Sequence, residues 1–588
     1  MCLWSVKERR RIFEIIMKMY NRLLFLLLAG LMCSCQKDQS VQADLIVVNG
    51  SIWTVNDEQE RVSALAVAEG RIIALGTDEE MLSFQDESTE ILDLEGKFMM
   101  PGFIEGHGHF IGYGNSRIKL NFLDSKSWNE IVKSVAAAAA ELPEGTWIEG
   151  RGWHQEKWTE GILDRNVLGY PFHDELSAMT PNHPVILRHA SGHALFANKA
   201  AMEIAGVSKE LESPAGGEIV RGPNGEAIGV FEERAMGIIS KAFNDYKSSF
   251  SEADLKQEWL RAVEEAEEGC LEHGITSFQD AGTYFYDIEG FKERANAGDM
   301  RIRLYSMLRH SAKDMAPILD DYPIMDMGND RFTCRAIKTE VDGALGAFGA
   351  WLLKPYSDKT GFHGQNTTSI AEVSAIADLA KKHGMQLCVH AIGDRANKEV
   401  LDIIETNFEG MEDPDLRWRI EHAQHLDTAD IPRFRTLGVI ASMQGIHCTS
   451  DAPFVESRLG AERAKYGAYP WRTLLDNGVV IANGTDTPVE KIDPIECLYA
   501  SVTRKRIDNG FEFYTEQAMT REEAIYSYTL GNAFAAFEEQ EKGSLEVGKF
   551  ADMVVLSNDL IQCSDEAILD TKILMTILDG EIVFTATE

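Results

Sequence analysis

Apolar, strand-like runs alternate with helical stretches through several hundred residues, and this alternation limits the fold more than any other feature of the chain. It predicts an α/β protein with a parallel sheet and crossover helices. About eight such units close into a (β/α)8 barrel of the TIM type, although periodicity alone does not separate a barrel from an open sheet. The strand-like runs include 185–187, 276–278, 302–307, 386–390, 439–443 and 479–482, and the helical stretches include 253–273 and 370–382.

Both ends of the chain are rich in short strand patterns instead. Residues 43–55 predict two strands joined by an Asn49-Gly50 turn, and further strands follow at 64–67 and 71–75. Segments 543–556 and 573–584 have the same character. We therefore expect a smaller, β-rich region in addition to the large α/β region.

The first 35 residues have the pattern of an export signal. Basic residues precede a short apolar run at 23–31, and Met32-Cys33-Ser34-Cys35 follows. The run is shorter than the roughly 20 residues that cross a bilayer as a helix. Leu31 to Cys35 resembles a bacterial lipoprotein signal, which would make Cys35 the lipidation site. We expect an exported protein, lipid-anchored in the bacterial cell envelope, with a plain cleaved signal as the alternative.

The formal net charge of -37 argues against polynucleotide partners, because such a chain repels nucleic acid and anionic lipid. We therefore expect a small-molecule substrate, no nucleic acid, and contact with a membrane only through the lipid anchor. A homodimer is one assembly that the sequence allows.

His107 and His109 stand at positions i and i+2 of an apolar, glycine-containing segment. On a strand this spacing places both side chains on one face. Two imidazoles at a strand end can bind one metal ion through neutral nitrogens. A single His-x-His pair is weak evidence, because ordinary packing also produces it.

Four further polar residues follow apolar strand patterns, at the strand ends where barrel active sites are built. Each has a simpler explanation. A histidine can bond a backbone carbonyl, an aspartate before Thr-Pro can form a turn, and a lysine can make a surface ion pair. Their joint occurrence with the His-x-His pair favours a shared site. These residues are Lys338, His390, His422 and Asp486.

The order His-x-His, Lys, His, His, Asp resembles the amidohydrolase superfamily. The strings Val389-His-Ala-Ile-Gly-Asp-Arg-Ala396, Ile420-Glu-His-Ala-Gln424 and Gly484-Thr-Asp-Thr-Pro-Val489 are similar to the group that includes N-substituted formamide deformylase. The resemblance runs from about residue 43 to the C-terminus. Three positions depart from the usual text: Glu105 in the His-x-His motif, Glu340 after the lysine, and Thr485, where a serine is usual before the aspartate. None of them removes a predicted ligand.

The resemblance implies a (β/α)8 barrel together with a small β-sandwich built from both chain ends. With it we divide the chain into a signal at 1–35, a sandwich segment at 43–100, a barrel at 101–535 with an inserted subdomain near 115–250, and a second sandwich segment at 536–588.

The resemblance also implies two divalent ions, with zinc expected and manganese or iron as alternatives. His107, His109 and Asp486 would hold one ion, and His390 and His422 the other. Lys338 would bridge both ions if carboxylated, because an unmodified ammonium repels a cation. A single ion with a structural Lys338 is the alternative.

The implied reaction is cleavage of a non-peptide carbon–nitrogen bond, amide-like in character, by metal-activated hydroxide. Asp486 would move the proton to the leaving amine. His193 is a candidate substrate contact or oxyanion helper, or else a structural residue of the inserted subdomain. Asp342 either orients Lys338 or begins a turn. An esterase, isomerase or decarboxylase on the same scaffold stays open, as does a non-catalytic ligand-binding surface lipoprotein.

Overall fold

The computed structural model describes residues 42–161, 165–411 and 415–587. Cys35 and the predicted signal lie outside these residues. Within them, no helix combines the length and the apolar character needed to cross a membrane.

Eight parallel strands follow one another in chain order around a single sheet, and almost every residue in them is buried. Burial on both faces is expected of strands that pack on side chains inside a barrel and on helices outside it. The predicted barrel is confirmed. Its strands are β1 (Phe103–Gly108), β2 (Ile275–Thr283), β3 (Arg303–Leu308), β4 (Phe332–Glu340), β5 (Gln386–Ala391), β6 (Arg419–His422), β7 (Ile440–Gln444) and β8 (Ile481–Gly484).

Side chains and loop backbone join β8 to β1. The Asn532 amide donates to the carbonyl oxygens of Ile104 (2.6 Å) and Asn483 (2.7 Å). Beyond the strand ends, the Asp486 N–H donates to the His107 carbonyl at 2.8 Å, and the His109 N–H donates to the Thr487 carbonyl at 2.7 Å. These backbone bonds place the aspartate beside the His-x-His pair.

Helices surround the barrel and connect its strands. Many begin at a residue whose side chain accepts a backbone N–H of the first turn, such as Ser251, Ser369 and Asp493. The longer helices outside the inserted subdomain are Phe110–Ile118, Glu252–Glu272, Phe285–Ala297, Ile370–His383, Asp394–Phe408, Ile431–Leu437, Gly445–Leu459, Ala461–Gly467, Trp471–Asp476, Pro494–Thr503, Arg521–Tyr528 and Leu530–Ala535.

Two sheets form the β-rich domain, and one of them contains strands from both chain ends. Met553–Leu556 pairs antiparallel with Phe98–Pro101 on one side and with Ile573–Leu578 on the other. Apolar side chains of both sheets share one core. The first sheet runs in the order Arg71–Gly76, Ala64–Ala68, Leu45–Val48, Glu90–Asp93, and the second in the order Glu581–Thr585, Ile573–Leu578, Met553–Leu556, Phe98–Pro101, Ser51–Trp53, Arg61–Val62.

The predicted Asn49-Gly50 turn does not form a hairpin. Leu45–Val48 and Ser51–Trp53 are strands, but they belong to different sheets. Asn49 has a positive φ of 54°, so the chain does reverse locally. It then crosses from one layer to the other, because each strand finds its partners elsewhere.

A separate mixed sheet lies between β1 and β2 in the chain. Val185–His189, predicted as one of the alternating strands, belongs to this sheet because it pairs with Ile148–Trp153 and Ala194–Ala197. The strand order is Gly217–Arg221, Ala227–Glu233, Ala194–Ala197, Val185–His189, Ile148–Trp153, Leu120–Asn121, and the accompanying helices are Trp128–Glu141, Asp174–Met179, Lys199–Ile204 and Met236–Lys247.

Candidate active site

The six predicted ligand residues lie at one end of the barrel. His107 is in β1 and His109 directly follows it, while Lys338, His390 and His422 belong to β4, β5 and β6. Asp486 follows β8 by two residues. All of them occupy the carboxyl ends of parallel strands, so the barrel directs them toward a common centre.

The histidine rings of this group are in close contact. The ring centre of His422 lies 4.6 Å from that of His107 and 4.4 Å from that of His390. Asp486 Oδ1 lies 3.2 Å from His109 Nε2 and 3.6 Å from His107 Nε2. One carboxylate oxygen is therefore within reach of both members of the His-x-His pair.

Several buried nitrogens in this centre have no hydrogen-bond partner among the described residues. They include Nε2 of His107 and Nε2 of His390. Buried polar atoms are normally satisfied, so converging ring nitrogens without a partner are typical of a cation-binding site. Imidazole and carboxylate donors at these separations fit a divalent cation. The residues present thus fit the metal that the sequence implies.

Neighbouring side chains fix the ring orientation of two of these histidines. His107 Nδ1 makes a short contact with Glu421 Oε2, and His422 Nδ1 lies 2.7 Å from Gln444 Oε1. A histidine that donates from Nδ1 presents its Nε2 lone pair to a metal. Nε2 of both rings is therefore available for an ion.

Comparison with known proteins agrees with this geometry. The model of the amidohydrolase family matches residues 90–584. The chain belongs to the amidohydrolase family. It is a metal-dependent hydrolase of that family, as the sequence motifs predicted.

This amidohydrolase is 31% identical over 534 residues to Protein LONG AFTER FAR-RED 3 of Arabidopsis thaliana, covering 88% of each chain. It is 28% identical over 561 residues to the N-substituted formamide deformylase of Arthrobacter pascens, covering 92% of this chain and 99% of the relative. Among solved structures, an uncharacterized metal-dependent hydrolase from Pyrococcus horikoshii matches with a TM-score of 0.70 at 25% identity, covering 89% of this chain and 99% of the other.

Burial and neighbouring charges shift the pKa values of the amidohydrolase's central residues. Burial, together with the Lys338 charge, lowers the pKa of His107 to about 4. Burial also lowers the pKa of the Lys338 amine, whose Nζ donates to the Ala281 carbonyl at 3.3 Å. Burial alone would raise the pKa of Asp486, but the surrounding histidines outweigh it and hold that pKa low. The centre thus contains a neutral imidazole and an ionised carboxylate, the forms in which these side chains bind metals.

The buried ion pair between Arg419 and Glu421 contacts His107. Arg419 Nε lies 2.7 Å from Glu421 Oε1, and Arg419 also donates to the Gly106 carbonyl and to Ser442 Oγ, both at 2.8 Å. Burial would raise the pKa of Glu421, but Arg419 and His107 outweigh it and hold that pKa far below its usual range. The string Ile420–Gln424 contains Glu421, and Arg419 directly precedes it, but only the tertiary structure shows that the two residues support His107.

The three departures from the family motif lie at two places: Glu105 contacts Thr485, and Glu340 lies apart from them. Glu105 is fully buried at the β1–β8 junction, where it accepts from the Thr485 N–H (2.6 Å) and hydroxyl (3.0 Å). It therefore joins the strand of His107 to the loop of Asp486. Glu340 lies in the wall of the active-site pocket and pairs with Arg309, a residue that the sequence analysis did not identify.

Asp342 has a role that neither prediction anticipated. It is fully buried, and its carboxylate accepts three backbone N–H groups, from Trp351 (2.8 Å), Ile392 (2.9 Å) and Gly393 (2.8 Å). It therefore joins the loop after β4 to the end of β5. Its Oδ1 lies 3.8 Å from Nε2 of His390, one of the predicted ligands.

The inserted subdomain supplies the outer wall of the pocket. Arg151 donates to the Pro488 carbonyl, and Lys157 Nζ lies 2.6 Å from Glu490 Oε1, so the subdomain contacts the loop that follows Asp486. His193 lies in this wall, with its ring centre 5.5 Å from that of His390. Lys157 and Glu490 are 333 positions apart, so no local pattern indicates their contact.

His193 is paired with Glu233, whose carboxylate oxygens both lie 3.1 Å from its Nδ1. Burial would lower the pKa of His193, but the Glu233 carboxylate outweighs it and raises that pKa to about 9. The imidazole is therefore cationic at neutral pH. The pocket that it borders has a volume of about 180 Å³.

Another histidine that the sequence analysis missed also lies in the centre. His447 lies in the first turn of the Gly445–Leu459 helix, 3.7 Å from Asp486 Oδ2 through its Nε2. Its ring is stacked against that of His422, with centres 6.1 Å apart. The only available signal was its position three residues after the end of β7.

Proposed function

We propose that the protein hydrolyses a non-peptide, amide-like carbon–nitrogen bond of a small polar molecule, with two divalent ions, most simply zinc. The observation that carries the proposal is the convergence of His107, His109, His390, His422 and Asp486 with unsatisfied ring nitrogens at the barrel end. The bond type is supported by the name of the Arthrobacter pascens relative, which aligns over 92% of this chain.

In this proposal His107, His109 and Asp486 would hold one ion, while His390 and His422 would hold the other. Lys338, if carboxylated, would supply an anionic oxygen ligand to them. Its burial supports the modification, because only the neutral amine reacts with carbon dioxide and burial lowers the pKa of Lys338. Carboxylation also replaces a buried cation beside the ions with an anionic oxygen donor.

Divalent ions bound here would supply Lewis-acid chemistry, which lowers the pKa of a water molecule and polarises a substrate carbonyl group. Asp486 accepts the water proton on a carboxylate oxygen and delivers it to the leaving nitrogen. Its low pKa keeps it ionised before the reaction. Glu421 and Gln444 hold the rings of His107 and His422 in place, and cationic His193 contacts the substrate from the outer wall.

The pocket supports a small and polar substrate. Its volume of about 180 Å³ is below the ~300–1,000 Å³ typical of drug-sized ligand sites. The outer lining contains the ion pairs Lys157–Glu490 and Arg309–Glu340 together with apolar side chains such as Leu345, Phe454 and Val489. A small substrate that combines polar groups with a short apolar part would fit this lining.

The test combines metal analysis with activity measurements. We expect the purified protein to contain up to two divalent ions per chain and to hydrolyse members of a panel of N-acyl amides, formamides, lactams and esters. His107→Ala should lose both metal and activity, whereas His273→Asn, a histidine bonded to the Gly269 carbonyl outside the site, should retain both. A wild-type protein that neither contains metal nor gains activity with added zinc would contradict the proposal. Hydrolysis of esters alone would show that the enzyme cleaves a carbon–oxygen bond and not a carbon–nitrogen bond.

We also propose export and lipid attachment at Cys35, from the signal pattern in the sequence. Mass spectrometry of the mature N-terminus should show an acylated Cys35 in the wild type and none in Cys35→Ser. An unmodified N-terminus at another residue would contradict lipid attachment.

A further inference from the structure

His447 is a buried active-site residue to which the proposed function assigns no role. It is 6% exposed, and it borders the same pocket as His422 and Asp486. Its Nε2 has no hydrogen-bond partner among the described residues. A buried polar atom directed at a substrate pocket is a candidate to contact the reacting group.

The other ring nitrogen determines what this one can do. Nδ1 of His447 lies 2.9 Å from Nε2 of Gln424, the amide nitrogen. With the amide nitrogen of Gln424 facing it, Nδ1 of His447 accepts, because an NH2 group can only donate, and the ring proton is then on Nε2. A ring in this tautomer has no lone pair on Nε2 for a metal and presents an N–H group instead.

The direction of Nε2 agrees with this tautomer. It lies 3.7 Å from Asp486 Oδ2, a carboxylate oxygen that would repel a second lone pair. This separation is too long for a hydrogen bond. The N–H group is thus near the reaction centre and unsatisfied until a further acceptor enters the pocket.

We propose that His447, positioned by Gln424, donates a hydrogen bond from Nε2 to the substrate oxygen that becomes negative when the carbonyl carbon is attacked. The inference rests on the proposed function, and it makes His447 a catalytic residue and Gln424 a positioning residue. The donor is held in place before the reaction, and preorganised donors of this kind lower the barrier to acyl transfer.

Two substitutions separate a donor from a metal ligand. His447→Leu removes the N–H group, whereas His447→Gln keeps an amide N–H at a similar reach. We expect both variants to contain as much zinc as the wild type. His447→Leu should lower kcat by about 10²–10³-fold, the loss typical of one oxyanion donor, with KM changed far less. His447→Gln should recover at least tenfold of that loss.

The matched control is His425→Gln, which changes another buried histidine outside the pocket lining and should leave kcat unchanged. Loss of zinc in both His447 variants would show that His447 is a ligand and overturn the inference. An unchanged kcat in His447→Leu would overturn it as well.

A second measurement does not depend on activity. ¹⁵N NMR of histidine-labelled protein, with the His447 signal assigned by its absence in His447→Gln, should show the proton on Nε2. In Gln424→Leu the preference for that tautomer should weaken and kcat should fall. A wild-type ring with the proton on Nδ1 would overturn the inference. A wild-type protein without metal or amide hydrolysis would contradict the proposed function, whereas an active wild type with a fully active His447→Leu contradicts only the role of His447.

Discussion

Replacing Glu421 by glutamine tests whether the buried network below the metal centre orients His107. The carboxylate contacts His107 Nδ1 and pairs with Arg419, and both charged side chains are fully buried. Glutamine keeps the size of the side chain but removes its charge, so Nδ1 loses its ionised acceptor. Loss of such a partner typically costs 10–100-fold in metal affinity, or about 1.4–2.7 kcal/mol.

The same change leaves the Arg419 guanidinium without its carboxylate. Breaking a buried ion pair costs about 3–5 kcal/mol of unfolding free energy, so a lower melting temperature is also expected. The control is Ser442→Ala, which removes one acceptor of Arg419 and does not touch His107. It should lower the melting temperature modestly and leave zinc affinity unchanged.

The assay is a competition titration of the metal-free protein with a zinc-chelating dye, alongside thermal unfolding. The predicted result is weaker zinc binding by Glu421→Gln and wild-type binding by Ser442→Ala. If Glu421→Gln bound zinc within twofold of the wild type while its melting temperature fell, Glu421 would stabilise the fold without orienting His107 for the metal.

Three further predictions concern single side chains. Asp486→Asn should lower turnover by at least about 10²-fold, because positioned proton transfer contributes roughly 10²–10⁴-fold, and its melting temperature should equal that of the wild type. The measurement is steady-state kinetics at equal zinc content, and undiminished turnover would contradict the prediction. Asp342→Ala should lower the free energy of unfolding by about 3 kcal/mol or more, because three backbone N–H groups lose a shared acceptor. Asp342→Asn should lower it less. Equal melting temperatures for the wild type and Asp342→Ala would contradict this prediction. Glu232 accepts a hydrogen bond from the Tyr170 hydroxyl at 2.7 Å, and burial raises its pKa from 4.5 to about 7. The protonated carboxyl group therefore contributes to the free energy of unfolding in full below pH 4.5. This contribution, ~3 kcal/mol, is lost as the pH rises through 7. Glu232→Gln should therefore gain stability relative to the wild type between pH 4.5 and 8, and a constant difference in melting temperature across that range would exclude the shift.

The barrel could be predicted because its strands are buried on both faces and have continuous apolar patterns. The same property made Val185–His189 look like a barrel strand, although it belongs to the inserted sheet. Local pattern reports burial but not the identity of the partner strand. The Asn49-Gly50 turn was misinterpreted for the same reason, since a local reversal does not determine which sheet receives the next strand.

The six predicted ligands were identifiable because parallel strands end at the same side of a barrel, so a polar residue at a strand end has a known location. His447 has no such signature. It belongs to a helix, where a histidine is usually an ordinary surface or core residue, and only the tertiary structure brings it next to Asp486. The bonds from Asp342 to Ile392 and Gly393 also span about 50 residues, beyond the reach of any local pattern.

The proposed activity requires that residues from β1, β4, β5, β6 and the loop after β8 share divalent ions. The most direct measurement is a crystal structure of the zinc-loaded protein with anomalous diffraction data at the zinc edge. The prediction is two anomalous peaks, one bounded by His107, His109 and Asp486 and one by His390 and His422, with additional density on Lys338 Nζ between them. A zinc-loaded crystal with no anomalous peak within bonding distance of these side chains would contradict it.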